Sequence, residues 1–390
     1  MKKRITIIIT LSFIFIAALF SQTSLYSPGK LAEDKNLKDS FVPPDQKGVQ
    51  ENFWKVEDKI LLYRFSQGEG KPVLILHGGP GMPPYSPWKG LASVKGYSFI
   101  YYHQRGCGKS TRPVDKFESQ NFLQNMGILN KLLGIKTQLA DIERIRHILG
   151  QDQLILIGHS YGAFLATLYA FEFPERVEKL VLISPADVLS LPSPHGGMDR
   201  MRTHFSPEEQ AEFDLFLKEY FNYGAIFQKS EEELARINSG FTKFYVAALG
   251  KKGIGLDEGT EKTKGLGGWM VHALYLSMGM TYDLKEYVKK ISAPVLVIHG
   301  ARDIQSEAVS QEYATLVQKG IFKVMAEASH FAFEEKPEEF ASVIRDFLIH
   351  LDYSRVEVAV DARRRPMKLW FTTAIGPQQS RCSEIGSPKG

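Results

Sequence analysis

The sequence contains few cysteines and none of the short motifs that hold metal ions. Among its 390 residues only Cys107 and Cys382 are cysteines, so the chain can form at most one intramolecular disulfide. This excludes a disulfide-stabilised scaffold, and stability must come from a hydrophobic core, for which a hydrophobic content of 44% is ordinary. No H-E-x-x-H or C-x-x-C motif occurs, so we expect neither a metal site nor another cofactor.

The central part of the chain also lacks an excess of one charge. Lys and Arg number 48 against 44 Asp and Glu, and the surplus of bases lies in residues 1–24 and 351–390. Without these ends the chain carries slightly more acids than bases, which argues against a nucleic-acid partner. The tail at 351–390 matches no pattern that predicts a role for it.

The N-terminus has the pattern of an export signal. Lys2, Lys3 and Arg4 precede an uncharged apolar stretch at 5–20, and a short polar segment follows at 21–24. The sequence therefore predicts a periplasmic or secreted protein, in which residues 1–24 are either cleaved as a signal peptide or retained as a membrane anchor. Residues 25–50 form a polar leader with three prolines, which we expect to lie over the surface or to be disordered.

Short apolar runs alternate with helical patterns along most of the remaining chain. Strands are predicted at 60–65, 73–76, 99–102, 154–157, 181–184, 295–299 and 321–325, and amphipathic helices at 137–149, 163–173, 307–317 and 337–351. This alternation predicts an α/β fold with a mostly parallel sheet covered by helices on both faces. We expect the core at 51–185 and 291–350, with a helical cap inserted at 186–290.

A candidate nucleophile follows one of the predicted strands. The sequence G-H-S-Y-G at 158–162 comes directly after the apolar run 154–157 and before a helical pattern, which is the strand, turn and helix context that a nucleophile elbow requires. Small residues flank Ser160 because the turn is too tight for side chains. The alternative is a plain turn between a strand and a helix.

An acid and a base follow two later strands. Asp303 comes after the strand at 295–299, and His330 comes after the strand at 321–325, both at the sheet edge where open α/β sheets place their sites. The chain order Ser, Asp, His is that of the α/β-hydrolases. We therefore predict that Ser160, His330 and Asp303 form a catalytic triad, although Asp303 alone could be a helix N-cap and His330 a structural loop histidine.

A glycine-rich turn follows the strand at 73–76. The sequence H-G-G-P-G at 77–81 could point a backbone N–H at the carbonyl oxygen of a bound acyl group, and Tyr161 could supply a second N–H. A turn that is glycine-rich for conformational reasons alone is the alternative. Lys109 and Ser110 end like a phosphate-binding loop, but His103 stands where that motif needs glycine, so no nucleotide site is predicted.

These motifs together resemble a known family. H-G-G-P-G-M-P at 77–83, Q-R-G-C-G-K-S at 104–110 and the sequence around Ser160, Asp303 and His330 are similar to those of α/β-hydrolases of the proline iminopeptidase group, peptidase family S33. The resemblance spans residues 50 to 350. It implies an α/β-hydrolase fold, a serine aminopeptidase that releases N-terminal proline from short peptides, and an oxyanion hole formed by Gly79 and Tyr161. His103 departs from the Asp that the family usually has before Q-R-G, and the G-H-S-Y-G elbow departs from its common G-G-S-W-G.

The resemblance also implies that acidic residues of the cap hold the substrate's free amine. The candidate acids of the cap are Asp199, Glu208, Glu209, Asp214 and Glu219. The aromatic residues of the cap either line a substrate pocket or form its core; they are Phe241, Phe244, Tyr245, Trp269, Tyr275 and Tyr282.

The sequence thus predicts an exported serine hydrolase that acts on a small peptide or another small molecule. An aminopeptidase for N-terminal proline or another small residue is favoured, and a carboxylesterase is the main alternative. A non-catalytic binding protein with a hydrolase fold is the third hypothesis, but it predicts a damaged triad, and all three triad residue types are present. The oligomeric state stays open.

Overall fold

The computed structural model describes residues 25–31, 41–255 and 264–349, and its central feature is an eight-stranded sheet. The described strands are β1 (Phe53–Glu57), β2 (Ile60–Gln67), β3 (Gly70–Leu76), β4 (Gly96–Tyr102), β5 (Leu154–His159), β6 (Val177–Ile183), β7 (Ser190–Leu191), β8 (Tyr282–Asp283), β9 (Val295–Gly300) and β10 (Gly320–Met325). The sheet has the order β1-β2-β4-β3-β5-β6-β9-β10, and β7 and β8 pair separately.

The sheet is mostly parallel, as predicted. From β4 to β10 all neighbouring strands run parallel, and antiparallel pairing is confined to β1 with β2 and β2 with β4 at one edge. All seven predicted strands are confirmed. Strand β1 was not predicted, because in its five residues only Trp54 and Val56 are buried and the apolar signal is correspondingly short.

Helices fill the connections between the strands. In the described residues they are α1 (Phe122–Leu133), α2 (Ile135–Ile148), α3 (Tyr161–Glu172), α4 (Asp199–Arg202), α5 (Pro207–Tyr220), α6 (Glu231–Lys251), α7 (Trp269–Met278), α8 (Lys285–Val288), α9 (Glu307–Leu316), α10 (Ala332–Glu335) and α11 (Pro337–Ile349). The four predicted core helices are confirmed as α2, α3, α9 and α11.

The centre of the core is formed by β5 and the helix that follows it. Every residue of β5 and every residue of α3 is buried. A strand can be apolar throughout only where both faces of the sheet are covered, and a helix can be buried all round only inside the protein. The turn between β5 and α3 is therefore anchored at both ends by buried elements, which fixes the position of Ser160.

Residues between β6 and β9 form helices α4 to α8 and the short β7–β8 pair. Their apolar side chains build a second hydrophobic cluster around the buried Trp269 and Ile226. Leu129 and Leu133 of α1 belong to the same cluster, although α1 lies outside the segment predicted as the cap. Helix α1 was not predicted, and it packs against α7 of the inserted helices.

The described part of the leader contributes to the main core. Tyr26 and Leu31 are each 2% exposed and Phe41 is 7% exposed, and all three belong to the main hydrophobic cluster. This segment is thus more deeply built into the fold than we expected. The predicted export signal and the predicted tail lie outside the described residues. Within the ranges described above, no helix combines the length and the apolar character needed to cross a membrane.

Candidate active site

Ser160 lies in a sharp turn between β5 and α3. Its backbone has φ 54° and ψ −118°, a conformation that side-chain-bearing residues rarely adopt, and its N–H donates to the carbonyl of Ile183 at 2.9 Å. The flanking glycines are sterically required. A Cβ at Gly158 would collide with the backbone of Gly162, and a Cβ at Gly162 would collide with the carbonyl of Leu76. This is the geometry that lifts a serine hydroxyl above the sheet.

Asp303 and His330 meet at the carboxyl ends of β9 and β10. The Nδ1 atom of His330 lies 2.8 Å from Oδ2 of Asp303, and both side chains are almost fully buried. Burial alone would raise the pKa of Asp303, but the charge of His330 and its hydrogen bond outweigh this effect and lower the pKa to about 2. Asp303 is therefore an ionised partner that can fix the orientation and tautomer of His330.

Ser160 and His330 open into the same cavity. The cavity has a volume of about 460 Å³, and Gly79 and Tyr161 also line it. Asp303 stands behind His330 and reaches the cavity only through it. The structure thus brings together all five residues for which the sequence predicts a catalytic or oxyanion role.

The glycine-rich turn at 77–81 packs directly against the elbow. A Cβ on Gly78 would lie 3.0 Å from Cβ of Ser160, and Gly79 has φ 115°, which favours glycine. Tyr161 is the first residue of α3, where helical N–H groups lack partners within the helix and the helix dipole favours negative charge. Gly79 and Tyr161 thus line the same cavity as Ser160, with backbone N–H groups of the kind that form oxyanion holes.

The Q-R-G motif supports this turn from behind and does not line the cavity. The backbone N–H of Gln104 donates to Nε2 of His77 at 3.1 Å, and its side-chain amide donates to the His77 carbonyl at 3.0 Å. Arg105 is 1% exposed and forms a bidentate pair with Asp141 at 2.6 and 2.9 Å. The motif is therefore structural in this chain.

His103, which departs from the family pattern, has a clear structural role. Its Nε2 lies 2.8 Å from the carbonyl oxygen of Pro84, and its Nδ1 accepts the backbone N–H of Lys109 at 2.9 Å. Because a carbonyl only accepts, Nε2 must carry the proton. Burial lowers the pKa of His103 to about 4, which keeps this neutral tautomer. The histidine thus closes the loop at 104–110.

The inserted helices supply one wall of the cavity. Of the five acids named for the cap, Asp199 lines the cavity. Asp187, which is not one of the five, lines it as well. The other four lie elsewhere, because Glu209 pairs with Lys251, Asp214 with Arg202, Glu219 with Lys229, and Glu208 with the Ser206 hydroxyl.

Three of the aromatic residues named for the cap also line the cavity. They are Phe241, Tyr245 and Tyr275. Trp269 is fully buried between Phe117 and Phe227, and its Nε1 donates to the carbonyl of Asp115 at 2.8 Å, so it forms core and does not line this cavity.

Two hydrogen bonds at the site were not predicted from the sequence. Tyr245 donates its hydroxyl to Oδ1 of Asp303 at 3.1 Å, and His159 lies 2.8 Å from the carbonyl of His330 through its Nε2. Tyr245 stands one helical turn after Phe241, so the sequence indicates that the two side chains share a helix face. It gives no sign that Tyr245 contacts Asp303. Within the described residues, no group of three His, Cys, Asp or Glu side chains is placed to hold a metal ion.

The chain belongs to the α/β-hydrolase fold family, whose model matches residues 71–337. This confirms the predicted fold class. The resemblance to proline iminopeptidases is confirmed as well. A proline iminopeptidase of Heyndrickxia coagulans is 28% identical over 300 residues, which cover 74% of this chain and 95% of the relative. One of Clostridium botulinum is 26% identical over 301 residues, covering 72% and 90%.

Solved structures show the same fold at lower identity. VinJ superimposes with a TM-score of 0.52 at 18% identity, over 75% of this chain and 96% of its own. A Burkholderia cenocepacia protein provisionally described as an aryl esterase superimposes with a TM-score of 0.51 at 16% identity, over 75% and 95%. Likenesses of this degree concern the fold, and the choice of substrate must be argued from the site.

Proposed function

We propose that the protein is a serine hydrolase in which Ser160 is the nucleophile, His330 the general base and Asp303 the residue that orients the base. The observation that carries this proposal is the 2.8 Å contact from His330 Nδ1 to Asp303, in a cavity wall that Ser160 shares. With Nδ1 bound to the carboxylate, Nε2 is the ring nitrogen left to accept the serine proton.

The reaction then follows the usual course of acyl transfer. Ser160 Oγ attacks the substrate carbonyl while His330 takes its proton, and the N–H groups of Gly79 and Tyr161 stabilise the oxyanion, with about 3 kcal/mol lost per donor removed in comparable sites. His330 returns the proton to the leaving group, which departs and leaves an ester on Ser160. Water, activated by His330, hydrolyses this ester and restores the enzyme.

We infer that the substrate is a short peptide with a free N-terminus, proline being the favoured first residue. The relatives named proline iminopeptidase support this, and so does an acid in the cavity wall. Asp199 lines the cavity and interacts with the charge of Arg202, and no described residue donates a hydrogen bond to its carboxylate, which leaves the carboxylate oxygens for an ammonium group. Carboxylester hydrolysis is the second candidate, because most of the cavity wall is apolar and would suit an acyl chain.

A panel of three substrate types separates these candidates. It consists of proline and alanine arylamides, the same arylamides with an acetylated N-terminus, and short acyl esters of a chromogenic alcohol. An aminopeptidase cleaves the free arylamides and loses activity when the amine is acetylated, because the charge that Asp199 would bind is gone. Fast ester turnover without amide cleavage would leave the esterase and remove the peptidase.

Substitution of Asp199 tests the amine site itself. Asp199→Asn is expected to raise KM for a free proline arylamide by about tenfold, the equivalent of one charge-assisted hydrogen bond, and to leave ester turnover unchanged. Glu219→Gln is the matched control, since Glu219 lies on the same insertion but pairs with Lys229 away from the cavity. Equal effects of the two substitutions would rule out Asp199 as the amine site.

Covalent labelling tests the serine chemistry without knowledge of the substrate. A fluorophosphonate probe is expected to label the wild-type protein and to leave Ser160→Ala unlabelled. Absence of labelling that depends on Ser160 would contradict the enzyme proposal and favour a non-catalytic binding protein of hydrolase fold.

We propose further that residues 1–24 direct export. The leader supports a boundary at this point, because the N–H groups of Leu25 and Tyr26 donate to the carbonyl of Ser277 at 2.9 and 3.0 Å and so belong to the folded enzyme. A cleaved protein is expected to begin at or before Leu25. Fractionation and N-terminal sequencing test this, and a cytoplasmic protein with an intact N-terminus would contradict it.

A further inference from the structure

The carboxylate of Asp303 has a second side-chain partner, which comes from the inserted helices. Its Oδ2 accepts the hydrogen bond of His330, while its Oδ1 accepts the Tyr245 hydroxyl at 3.1 Å and the backbone N–H of Gln305 at 3.0 Å. The Tyr245 ring also lies 5.0 Å from the His330 ring, measured between centroids, and lines the cavity. One tyrosine thus contacts the acid, the base and the substrate space.

The C-terminal end of helix α6 contacts the loop of Asp303 at a second point. Lys252, which caps α6, donates from Nζ to the backbone carbonyl of Asp303 at 2.7 Å. The guanidinium of Arg302 donates a hydrogen bond to the carbonyl of Lys252 at 3.1 Å. Because these contacts join α6 to the loop after β9, a displacement of α6 would remove them together with the Tyr245 bond.

We propose that Tyr245 is a positioning residue that couples the docking of the inserted helices to the base strength of His330. This inference rests on the proposed triad. A hydroxyl that donates a hydrogen bond to a carboxylate takes up part of the carboxylate's negative charge. Asp303 therefore stabilises protonated His330 less strongly while Tyr245 is in place. Loss of the hydroxyl leaves a more concentrated charge on Asp303, which favours the protonated imidazole. His330 then becomes free to accept a proton only at higher pH.

Other charged and titratable groups surround the pair, and a change at Tyr245 alone leaves them in place. Groups from the neighbouring elements that face Asp303, His330 or Tyr245, or interact electrostatically with groups that do, are His159, Arg200, Lys252, His299, Arg302, Glu307 and Glu335. Burial and the negative charge of Asp303 raise the pKa of Tyr245 far above its usual range, so the phenol stays protonated and remains a donor. A shift seen in Tyr245→Phe is therefore assignable to the lost hydroxyl.

The test is the pH dependence of the rate at which a fluorophosphonate inactivates the full chain. For Tyr245→Phe the acid limb of this profile is expected to move to higher pH by about half a unit to one unit, as expected for one hydrogen bond to the partner carboxylate. Tyr275→Phe is the control, because it removes a hydroxyl from the same cavity wall without contact to Asp303. Its acid limb should coincide with that of the wild type.

The outcomes separate this inference from the proposal on which it rests. Without Ser160-dependent labelling of the wild type, the serine-hydrolase proposal fails and the inference fails with it. If the wild type is labelled normally, an unmoved acid limb in Tyr245→Phe overturns only the inference about Tyr245. A slower reaction with an unmoved limb has the same meaning, because a merely structural role of Tyr245 would give that result. Should Tyr245→Phe not fold, Tyr245→Met takes its place in the same measurement with the same two results.

Discussion

The Nε2 atom of His159 lies 2.8 Å from the carbonyl oxygen of His330, and the two imidazole rings pack with centroids 4.8 Å apart. His159 is the residue before Ser160, so the elbow holds the loop that carries the proposed base, His330. The carbonyl can only accept, and therefore His159 must carry its proton on Nε2. The residue before Ser160 is thus tied by a hydrogen bond to the backbone of His330 itself.

Removal of this hydrogen bond should slow the chemistry without unfolding the protein. We expect His159→Phe to lower the rate of fluorophosphonate labelling by at least about tenfold, because small displacements of a base cost large factors in rate. His159→Gln should recover part of this loss, since its side-chain amide can donate at a similar position. Labelling rates and circular dichroism of the three proteins check this. Equal rates for all three would show that the loop of His330 is held by other contacts.

A buried carboxylate binds the leader segment at 25–31 at three points. Glu172, at the end of α3, accepts the Tyr26 hydroxyl at 2.5 Å and the backbone N–H groups of Gly29 and Leu31 at 2.8 and 2.9 Å. Burial, followed by the nearby charge of Glu172, raises the pKa of Tyr26 well above its usual value, so the phenol remains a donor. The segment at 25–31 is therefore an integral part of the fold.

Glu172→Gln is expected to lower the free energy of unfolding by about 1–3 kcal/mol. Glutamine lacks the negative charge, and its side-chain N–H₂ group would face the N–H and O–H donors that Glu172 now binds. The segment at 25–31 should then become the first site of limited proteolysis. Urea unfolding and mass spectrometry of the digest measure the two effects. Glu175→Gln, whose side chain is 62% exposed, is the control and should behave as the wild type. An equally stable Glu172→Gln would mean that Tyr26, Leu31 and Phe41 suffice.

The sequence could predict the fold, and could indicate which residues meet at the candidate site, because both leave local signals. Strands such as β5 are apolar at nearly every position since both faces are covered, and the glycines around Ser160 are required by the turn itself. Asp303 was predicted because it follows the fully buried β9 by a few residues, and His330 because it follows β10, a largely apolar but less buried strand. The contacts of Tyr245 and His159 leave no such signal, because their partners lie far along the chain and only the packed fold brings them together.

The same reason applies to α1 and to the leader. Helix α1 buries three residues but leaves the apolar Leu123 and Ile128 exposed, so its apolar residues do not mark a single buried face, and its packing against α7 depends on the insertion. The leader is polar in composition, and its anchoring depends on a few apolar side chains and one distant carboxylate. Both were missed because tertiary contacts, rather than local periodicity, define them.

A buried histidine in the inserted helices predicts how stability depends on pH. His272 on α7 is 1% exposed, and neither of its ring nitrogens has a hydrogen-bond partner among the described residues. Burial and, to a smaller degree, the charge of Lys229 lower the pKa of His272 to about 3. The unfolded chain takes up a proton on this residue near pH 6.5, whereas the folded protein does so only near pH 3. Stability is therefore lost as the pH falls through this window.

We expect His272→Leu to reduce this loss, because leucine does not titrate. Between pH 6.5 and 4 the wild type should lose up to about 3 kcal/mol more unfolding free energy than His272→Leu, at about 1.4 kcal/mol per pH unit for one proton. At pH 7 the variant should be at least as stable as the wild type, since it buries no unpartnered ring nitrogen. Urea unfolding at a series of pH values measures both differences. Parallel curves for the two proteins would mean that His272 takes up its proton equally in the folded and unfolded states.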